Sequence, residues 1–260
     1  MRIYLLASAA CCAFASVSAK AEAGPDSAII VTGQRIAEAE ADADRRPGGA
    51  GIVAATDYEN VVAVSLRDAL AFSPGIYTQP RYGQEVRLSI RGSGISRGFH
   101  MRGLTLLQDG APINQADDNG DFQELDPTIM QHIEVYRGAN ALRFGGTTLG
   151  GGINAVTPTG RSAPGVTLRL DGGSFDTLRG LATFGYADAR GDAWMAIAGD
   201  TSEGGRDHMR RRALRFHGNV GLRVTGTIET RFHASAQTLR QELPGALDRP
   251  AGHRRLQTRA

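Results

Sequence analysis

The side chains that most often carry enzyme chemistry are few in this sequence and do not form a constellation. Six histidines occur in the chain, and no two stand four residues apart, the spacing that places two metal ligands on one helix face. The chain has no Gly-x-Ser-x-Gly segment, and its two cysteines, Cys11 and Cys12, are adjacent. We therefore predict no enzyme, no metal site and no cofactor, and we interpret His217 and His233 as polar residues on strands.

Short segments that resemble ligand-binding loops lack the residues that the chemistry needs. Asp117, Asn119 and Asp121 have the spacing that begins a calcium loop, but Phe122 and Thr128 occupy the positions of its glycine and its bidentate glutamate. Two glycine-rich segments also fail as phosphate loops, because one has its third glycine a position late and the other lacks Gly-Lys-Ser/Thr. The acidic cluster is therefore interpreted as a solvated loop that could meet a polar ligand.

The composition does not single out a charged partner. The 260 residues carry a formal charge of +2, and Lys20 is the only lysine among otherwise arginine cations. Forked guanidinium groups suit phosphate recognition, but these arginines are scattered and do not form one basic face. The 34 glycines and the few aromatic residues indicate turns, close backbone approaches and β structure.

The first 23 residues have the organisation of a secretory signal peptide. Arg2 provides a positive start, residues 3–17 form an apolar run, and small-residue cleavage patterns follow. A lipoprotein signal is the alternative, although Ser8 stands three residues before Cys11, where an aliphatic residue is expected. Cleavage of the signal peptide removes both cysteines, so we expect an exported chain without disulfides. An exported chain without a long apolar helix can still enter a membrane as a β-barrel.

Residues 24–59 are predicted to hold one short strand and a flexible linker. Ile29–Gly33 is a β-branched run, and residues 34–60 are rich in Ala, Asp, Glu, Arg and Gly. Such an isolated strand is either an edge strand of the fold or a peptide offered to another protein by strand addition. The composition does not separate these two interpretations.

Residues 60–160 have the pattern of a small α+β domain. Residues 65–68 form a capping box that opens a short helix, and Asp126-Pro127 opens a helical turn. Runs of aliphatic and β-branched residues between turn signals predict four short strands. These strands cover residues 86–90, 104–107, 133–136 and 153–157.

Residues 161–260 change to longer, alternating strands. Arg, His, Asn and Ser alternate with Leu, Phe, Val and Ala, as expected for strands with a polar lumen side and an apolar lipid side. His217 and His233 fall on the polar side. Tight turns near residues 188–191 and 224–226 and a polar loop at residues 201–210 fit the two ends of an outer-membrane barrel. A soluble β-sandwich is the alternative on these strands alone.

Five groups of short segments follow one another in order between residues 27 and 240. They are Ile29-Ile30-Val31-Thr32-Gly33; Leu66-Arg67-Asp68-Ala69-Leu70 with Pro74-Gly75-Ile76; Ile90-Arg91-Gly92 with residues 106–113; Ile133-Glu134-Val135-Tyr136-Arg137-Gly138 with Leu142-Arg143-Phe144-Gly145; and residues 150–157. Together they resemble the plug domain and first barrel strands of the TonB-dependent receptor family, and the first is similar to the TonB box. The fourth group is the most specific.

The resemblance implies both a fold and a mechanism. The fold would be an α+β plug domain followed by antiparallel transmembrane β-strands of an incomplete outer-membrane β-barrel, which in this family has about 22 strands. The TonB box would add as a strand to the TonB–ExbB–ExbD energy-coupling complex, and pulling would rearrange the plug to admit a bound nutrient. The receptor would be a monomer in the outer membrane.

The resemblance also implies roles for individual residues. Glu134 and Arg137 would lock the plug to the barrel wall through charged pairs, although without the resemblance an ordinary ion pair at a strand end explains them equally well. Loops 93–102 and 114–123 would contact substrate, and the arginines of the first loop suit an anionic ferric siderophore or ferric citrate. Cobalamin, haem and carbohydrate stay open as substrates. The predicted substrate-binding residues are Arg97, His100, Arg102, Gln115, Asn119 and Gln123.

The strand count departs from the family. About five strands cannot close a barrel, and open sheet edges in lipid leave backbone groups unpaired at several kcal/mol each. The sequence ends at Arg259-Ala260 without the terminal aromatic residue that such barrels usually carry. We therefore expect either part of a longer receptor or a truncated plug module that binds the TonB partner in the periplasm.

Overall fold

A computed structural model describes the fold of most of the chain. The predicted signal peptide and the predicted strand Ile29–Gly33 lie outside the residues that it describes. The described residues are 36–46, 49–80, 85–93, 103–115, 120, 122–145, 148–225 and 227–244.

The described residues form short elements first and long strands afterwards. The helices are α1 (Ile36–Asp44) and α2 (Leu66–Ala69). The short strands are β1 (Ala50–Ala54), β2 (Ile76–Pro80), β3 (Val86–Ile90), β4 (Leu104–Gln108), β5 (Ala111–Pro112), β6 (His132–Arg137) and β7 (Gly151–Val156). The long strands are β8 (Gly165–Gly173), β9 (Thr177–Ala187), β10 (Gly191–Ser202), β11 (Arg211–Arg223) and β12 (Glu229–Gln241). The first group, α1 to β7, is called the α+β region below, and the second group is called the wall sheet.

The α+β region is built on a five-stranded sheet in the order β1-β6-β7-β4-β5. Strands β4 and β7 run parallel and the other neighbours run antiparallel, which makes this a mixed sheet. Every residue of β6 and β7 is buried, as expected for central strands covered on both faces. Strands β2 and β3 pair separately as an antiparallel ribbon. The four strands predicted from the sequence are confirmed to within two residues at each end.

Strand β1 and helix α1 correct the prediction of a flexible linker over residues 34–60. β1 pairs antiparallel with β6, placing Val53 opposite Ile133. The segment Ala50–Ala54 has only two large apolar side chains, so its strand depends on the ladder that β6 offers. α1 consists almost entirely of Ala, Glu and Asp, and its alanines and glutamates are good helix formers that composition alone does not separate from a linker.

The hydrophobic core of the α+β region lies between α2 and the central strands. Leu66 and Leu70 pack with Ile133, Val135 and Ile153, and all five side chains are fully buried. Each such side chain stabilises the fold by about 1.5–3 kcal/mol through removal of apolar surface from water. The core therefore holds the short strands firmly although each is only five or six residues long.

The two predicted helix starts are confirmed. The carboxylate Oδ2 of Asp68 accepts the backbone N–H of Ser65 at 3.0 Å at the start of α2. Asp126 caps the short turn Pro127–Ile129, with Oδ1 accepting the backbone N–H of Thr128 at 3.0 Å. Short polar side chains at these positions satisfy donors that a helix start leaves free.

The wall sheet is an antiparallel meander in the order β12-β11-β10-β9-β8. Its strands are 9 to 13 residues long, enough to cross the hydrocarbon core of a membrane when tilted. The connections at 188–190 and 224–228 are short, whereas residues 203–210 join β10 to β11 by a longer loop. These connections confirm the predicted tight turns and longer loop.

The two faces of the wall sheet differ in the way that the alternation predicts. Along β11, Arg215 and His217 are buried, whereas Leu214 and Phe216 are exposed. The buried face lies against the α+β region, where Ile129 packs with Trp194 on β10. The exposed face carries large apolar side chains on all five strands, which is unusual for a face in contact with water. No helix within the described ranges is long and apolar enough to cross a membrane.

Candidate functional site

Three polar clusters join the α+β region to the inward face of the wall sheet, and the first is centred on Asp126. The Asp126 carboxylate accepts a hydrogen bond from the guanidinium of Arg179 on β9. Arg179 also donates to the carbonyl oxygen of Ala63 at 2.9 Å and to the hydroxyl of Thr128 at 2.9 Å. Asp126 and Arg179 are 1% and 2% exposed, so water does not compete for the pair. Such a charged hydrogen bond is strong, and losing one partner leaves a costly buried charge.

The Asp126 cluster continues along the wall sheet. Nη1 of Arg215, on β11, lies 3.6 Å from Oδ2 of Asp126 and 2.8 Å from Oδ1 of Asp200 on β10. Nη2 of Arg211 lies 2.8 Å from Oδ2 of Asp200. Three wall arginines therefore share one carboxylate from the α+β region and one from the wall, which ties the turn at Asp126 to three neighbouring strands.

The second cluster is centred on Asp109, in the turn between β4 and β5. Oδ1 of Asp109 accepts the backbone N–H of Thr157 at 2.7 Å. Oδ2 lies 3.2 Å from Nδ1 of His233 on β12 and 3.7 Å from Nε2 of His217 on β11. Burial alone would raise the pKa of Asp109, but hydrogen bonds from His233 and Thr157 outweigh it and hold that pKa below its ordinary value. Asp109 is therefore a carboxylate held between the α+β region and two wall strands.

The third cluster anchors the segment that enters the wall sheet. The backbone N–H of Gly160 donates to Oδ2 of Asp192 on β10 at 3.0 Å. Arg231 on β12 donates to both carboxylate oxygens of Asp192, at 2.9 and 2.8 Å, and to Oδ1 of Asn219 at 2.7 Å. Asn219 in turn donates to the carbonyl oxygen of Pro158 at 2.9 Å. The segment that connects the α+β region to the wall sheet is thus bound through its backbone at Pro158 and Gly160.

Gly160 is required by the closeness of the wall backbone. A Cβ at this position would lie 2.0 Å from the carbonyl oxygen of Tyr186 and 2.5 Å from that of Ala193. Both are main-chain atoms of neighbouring strands and cannot rotate away. Any larger residue would therefore push the connecting segment off the sheet.

Glu134 is buried in the middle of β6 and binds partners in the α+β region. Its Oε2 accepts the hydroxyl of Tyr136 at 3.0 Å and the Nδ2 amide of Asn154 at 2.7 Å. Burial alone would raise the pKa of Glu134, but the hydrogen bonds from His132, Asn154 and Tyr136 outweigh it and lower that pKa. These contacts brace β6 against β7, and the role of Glu134 as a lock to the barrel wall stays a prediction.

Arg137 lies at the end of β6 and also binds the α+β region. Its Nε donates to the carbonyl oxygen of Pro74 at 2.8 Å, and its Nη2 donates to the hydroxyl of Ser73 at 3.1 Å. Its Nη1 donates to the carbonyl oxygen of Gly49 at 3.3 Å. Arg137 therefore gathers the segment before β1 and the turn before β2 around β6. Its predicted part in a plug–wall lock likewise stays a prediction.

The predicted substrate-binding and TonB-box residues fall mainly outside the described part of the chain. Gln115 is exposed after β5, and Gln123 is partly buried in the turn Phe122–Glu124. The roles of these two residues stay predictions. The residues outside the described ranges are Arg97, His100, Arg102 and Asn119, together with Ile29, Ile30, Val31, Thr32 and Gly33 of the predicted TonB box.

The acidic residues at the centres of the three clusters were missed as site residues by sequence reasoning. The sequence identifies Asp109 as a turn residue and Asp126 as a helix cap. Both interpretations are correct, but neither includes the pairing of these carboxylates with wall side chains. The available signal was the charge on inward positions of the wall strands, such as Arg179 and Arg215. Inward cations need buried anions, which here are Asp126 of the α+β region and Asp192 and Asp200 of the wall sheet itself.

The chain matches a family model and several curated proteins. Residues 42–152 match the TonB-dependent receptor plug domain. The vitamin B12 transporter BtuB of Vibrio vulnificus is 28% identical over 147 residues, which are 54% of this chain and 24% of that protein. The ferric aerobactin receptor of Escherichia coli is 34% identical over 149 residues, which are 56% of this chain and 17% of that receptor. The chain thus spans a quarter or less of the length of these relatives.

Solved structures share the fold of the α+β region and the wall sheet together. The siderophore receptor PirA from Acinetobacter baumannii superposes with a TM-score of 0.57 at 17% identity, covering 73% of this chain and 31% of that one. A ferric enterobactin receptor (PfeA) mutant from Pseudomonas aeruginosa gives 0.56 at 17% identity, covering 76% and 34%. The α+β region of this chain is therefore a plug domain of the TonB-dependent receptor family, followed by antiparallel strands with the fold of part of a receptor barrel.

Proposed function

We propose that this chain forms the plug and first wall strands of an outer-membrane receptor that takes up a ferric siderophore. The observation that carries the proposal is the seat of the plug, where Asp109 and Asp126 of the plug bind inward side chains of the wall sheet. Asp192 of the wall sheet in turn binds the connecting segment at Gly160. A plug seated on the polar inside of a wall, with an apolar outside, has the arrangement that occludes a membrane channel.

The polar seat supports a plug that can be rearranged. A plug held by apolar packing alone would expose hydrophobic surface to the lumen when it moved. Charged and hydrogen-bonded partners such as Asp126 and Arg179 can instead separate, because water that enters as the contact opens replaces each partner in the hydrogen bonds. Energy from the TonB–ExbB–ExbD complex would reach this seat through the TonB box, by strand addition at residues 29–33.

The relatives support a ferric siderophore as the first candidate substrate. Proteins named as receptors for aerobactin, rhizobactin and ferrioxamine match this chain at 34%, 32% and 27% identity. The predicted contacts Arg97, His100 and Arg102, with Gln115, Asn119 and Gln123, provide cationic and amide donors for an anionic chelate. Cobalamin is the second candidate, because the matched relatives also include vitamin B12 transporters.

Uptake by cells that carry the receptor gene tests the proposal. Cells with and without the gene would be compared for uptake of ⁵⁵Fe-labelled aerobactin, ferrioxamine and ferric citrate, and of ⁵⁷Co-labelled cyanocobalamin. We expect gene-dependent uptake of a ferric chelate, and recovery of the protein in the outer-membrane fraction. Gene-dependent uptake of cobalamin alone would favour the second candidate, and a protein found only in the periplasm would contradict both.

A variant of the TonB box tests the energy coupling. Val31→Pro removes a backbone N–H in the middle of the predicted added strand, so we expect uptake to fall to the level of the deletion while ligand binding to the cell surface persists. Val31→Ala is the matched control, because it keeps the backbone donor. Equal uptake by the two variants would contradict coupling through this segment.

A further inference from the structure

The side chains of Asp109, His217 and His233 converge at the contact between plug and wall. Asp109 comes from the plug, and the two histidines come from neighbouring wall strands. Oδ2 of Asp109 lies 3.2 Å from Nδ1 of His233 and 3.7 Å from Nε2 of His217. One ligand atom from each residue lies within 4.8 Å of the other two. Two imidazoles and one carboxylate therefore face a common point.

Asp109 is held in place by the plug. Its Oδ1 accepts the backbone N–H of Thr157 at 2.7 Å, and the Thr157 hydroxyl donates to Oδ2 at 2.8 Å. Its backbone φ is +51°, a left-handed conformation that the turn imposes. The carboxylate is thus positioned by the plug, and Oδ2 keeps a lone pair for a further ligand.

His217 carries the observation that points to a missing ligand. It is 4% exposed, and within the described part of the chain its Nε2 has no hydrogen-bond partner. Its other ring nitrogen, Nδ1, lies 3.1 Å from the side-chain amide of Gln108. With the amide plane turned over, the Gln108 oxygen accepts the Nδ1 proton and leaves a lone pair on Nε2. A metal-bound histidine usually has this support from a second residue.

We propose that Asp109, His217 and His233 form a site for a divalent transition-metal ion such as Zn²⁺, bridging plug and wall. Imidazole nitrogen suits Zn²⁺, Ni²⁺ and Cu²⁺, whereas Ca²⁺ and Mg²⁺ prefer oxygen ligands. Three protein ligands leave a fourth position of a tetrahedral zinc for water. The His233 side chain is 29% exposed and provides the open side of the site.

The geometry requires only a small contraction. Zinc lies about 2.0–2.2 Å from nitrogen and carboxylate ligands, so tetrahedral ligand atoms stand roughly 3.2–3.6 Å apart. The Asp109 distances to the two histidines already lie near this range, at 3.2 and 3.7 Å. The third separation, between the ligand nitrogens of His217 and His233, is within 4.8 Å and must shorten when the metal binds. Since one ligand comes from the plug and two come from the wall sheet, the bound metal holds the plug against the wall sheet. This inference concerns the seated plug and does not depend on which nutrient is transported.

Zinc binding to the full chain without a histidine tag tests the proposal. The refolded protein in detergent would be titrated with Zn²⁺ in competition with a chromophoric chelator. We expect one tight site per chain, whose affinity falls at least tenfold in His217→Gln and in His233→Gln. His208→Asn is the matched control, because His208 is exposed in the loop before β11 and its positive φ of 59° suits asparagine. Unchanged zinc affinity in both variants would overturn the proposal.

A second measurement uses the unmodified protein and so does not depend on the folding of a variant. X-ray absorption at the zinc edge should show only nitrogen and oxygen ligands at about 2.0 Å from the zinc, two of them from imidazole rings. Zinc should also raise the melting temperature of the unmodified chain and of His208→Asn. A zinc shell without imidazole, or a melting temperature that does not change, would show that His233 and Asp109 form a plain ion pair.

Discussion

The guanidinium of Arg179 on the wall donates to the carboxylate of Asp126 on the plug, and both side chains are almost completely buried. The two residues are 53 positions apart, one in the plug and the other on β9 of the wall sheet. Asp126 also caps a turn, so a single carboxylate shapes the plug locally and seats it on the wall. The carboxylate that holds the plug against the wall sheet therefore also fixes the local backbone of the plug.

Removal of the Asp126 charge should weaken the seat strongly. Asp126→Asn keeps an oxygen for the backbone N–H of Thr128 but leaves Arg179 and Arg215 without their shared anion, so we expect a loss of about 3–5 kcal/mol in the free energy of unfolding. The measurement is urea unfolding in detergent, monitored through the fluorescence of Trp194. This residue is the only tryptophan in the sequence, and it packs against Ile129 of the plug.

Asp171→Asn is the control for this experiment. Asp171 pairs with Arg169 at 2.8 Å on the wall sheet, where the two side chains are 16% and 31% exposed. We expect its loss to cost about 1 kcal/mol or less. Equal effects of the two substitutions would contradict a special role for the buried pair.

The buried Glu134 should make plug stability depend on pH. Because the pKa of Glu134 is lower in the folded state, its ionised form stabilises the fold above its unfolded pKa of about 4.3. That contribution is lost as the pH falls through the folded pKa. We expect Glu134→Gln to cost about 1–3 kcal/mol at neutral pH, and the difference from the unmodified chain to shrink below about pH 4. Glu59→Gln, at an exposed position, should show no such change.

Hydrogen exchange should separate two roles for Arg137. If Arg137 braces the plug internally, Arg137→Ala will speed amide exchange in β1 and around Ser73, while β9 to β11 keep their protection. If it locks the plug to the wall, exchange at the wall-facing turn Pro127–Ile129 will also rise. Arg143→Ala is the control, because Arg143 stacks over Tyr136 without bridging these segments.

A charge on the outer face of the wall should oppose insertion into a membrane. Phe216 is 40% exposed on this face and pairs across the sheet with Ile197. Phe216→Arg should lower the stability of the protein in lipid vesicles by about 2–4 kcal/mol if the residue lies near the bilayer centre. Phe216→Leu should change it little. The effect is measured by refolding each variant into vesicles and separating folded from unfolded protein by electrophoresis without heating. Equal stability of the two variants in vesicles would contradict contact with lipid.

The elements of this fold that follow a simple period could be predicted from the sequence. Strand β3 matches its predicted range, and the polar side of β11 with Arg215 and His217 is the buried side. A two-residue period needs no knowledge of the partner, because successive side chains point to opposite faces. Strand β1 was missed for the opposite reason, since its short run becomes a strand only when β6 supplies the ladder.

The sequence by itself therefore determined the order of elements, the inward and outward faces and the likeness to a plug followed by barrel strands. Only the tertiary structure decided which inward cation meets which anion. Arg179 finds Asp126, and Asp109 meets His217 and His233, across separations at which a linear pattern carries no distance information. Glu134 and Arg137 show the same limit, because their motif is recognisable while the geometry of the plug selects their partners. Periodicity is a local property of the backbone, whereas charge pairing depends on how the α+β region and the wall sheet pack together.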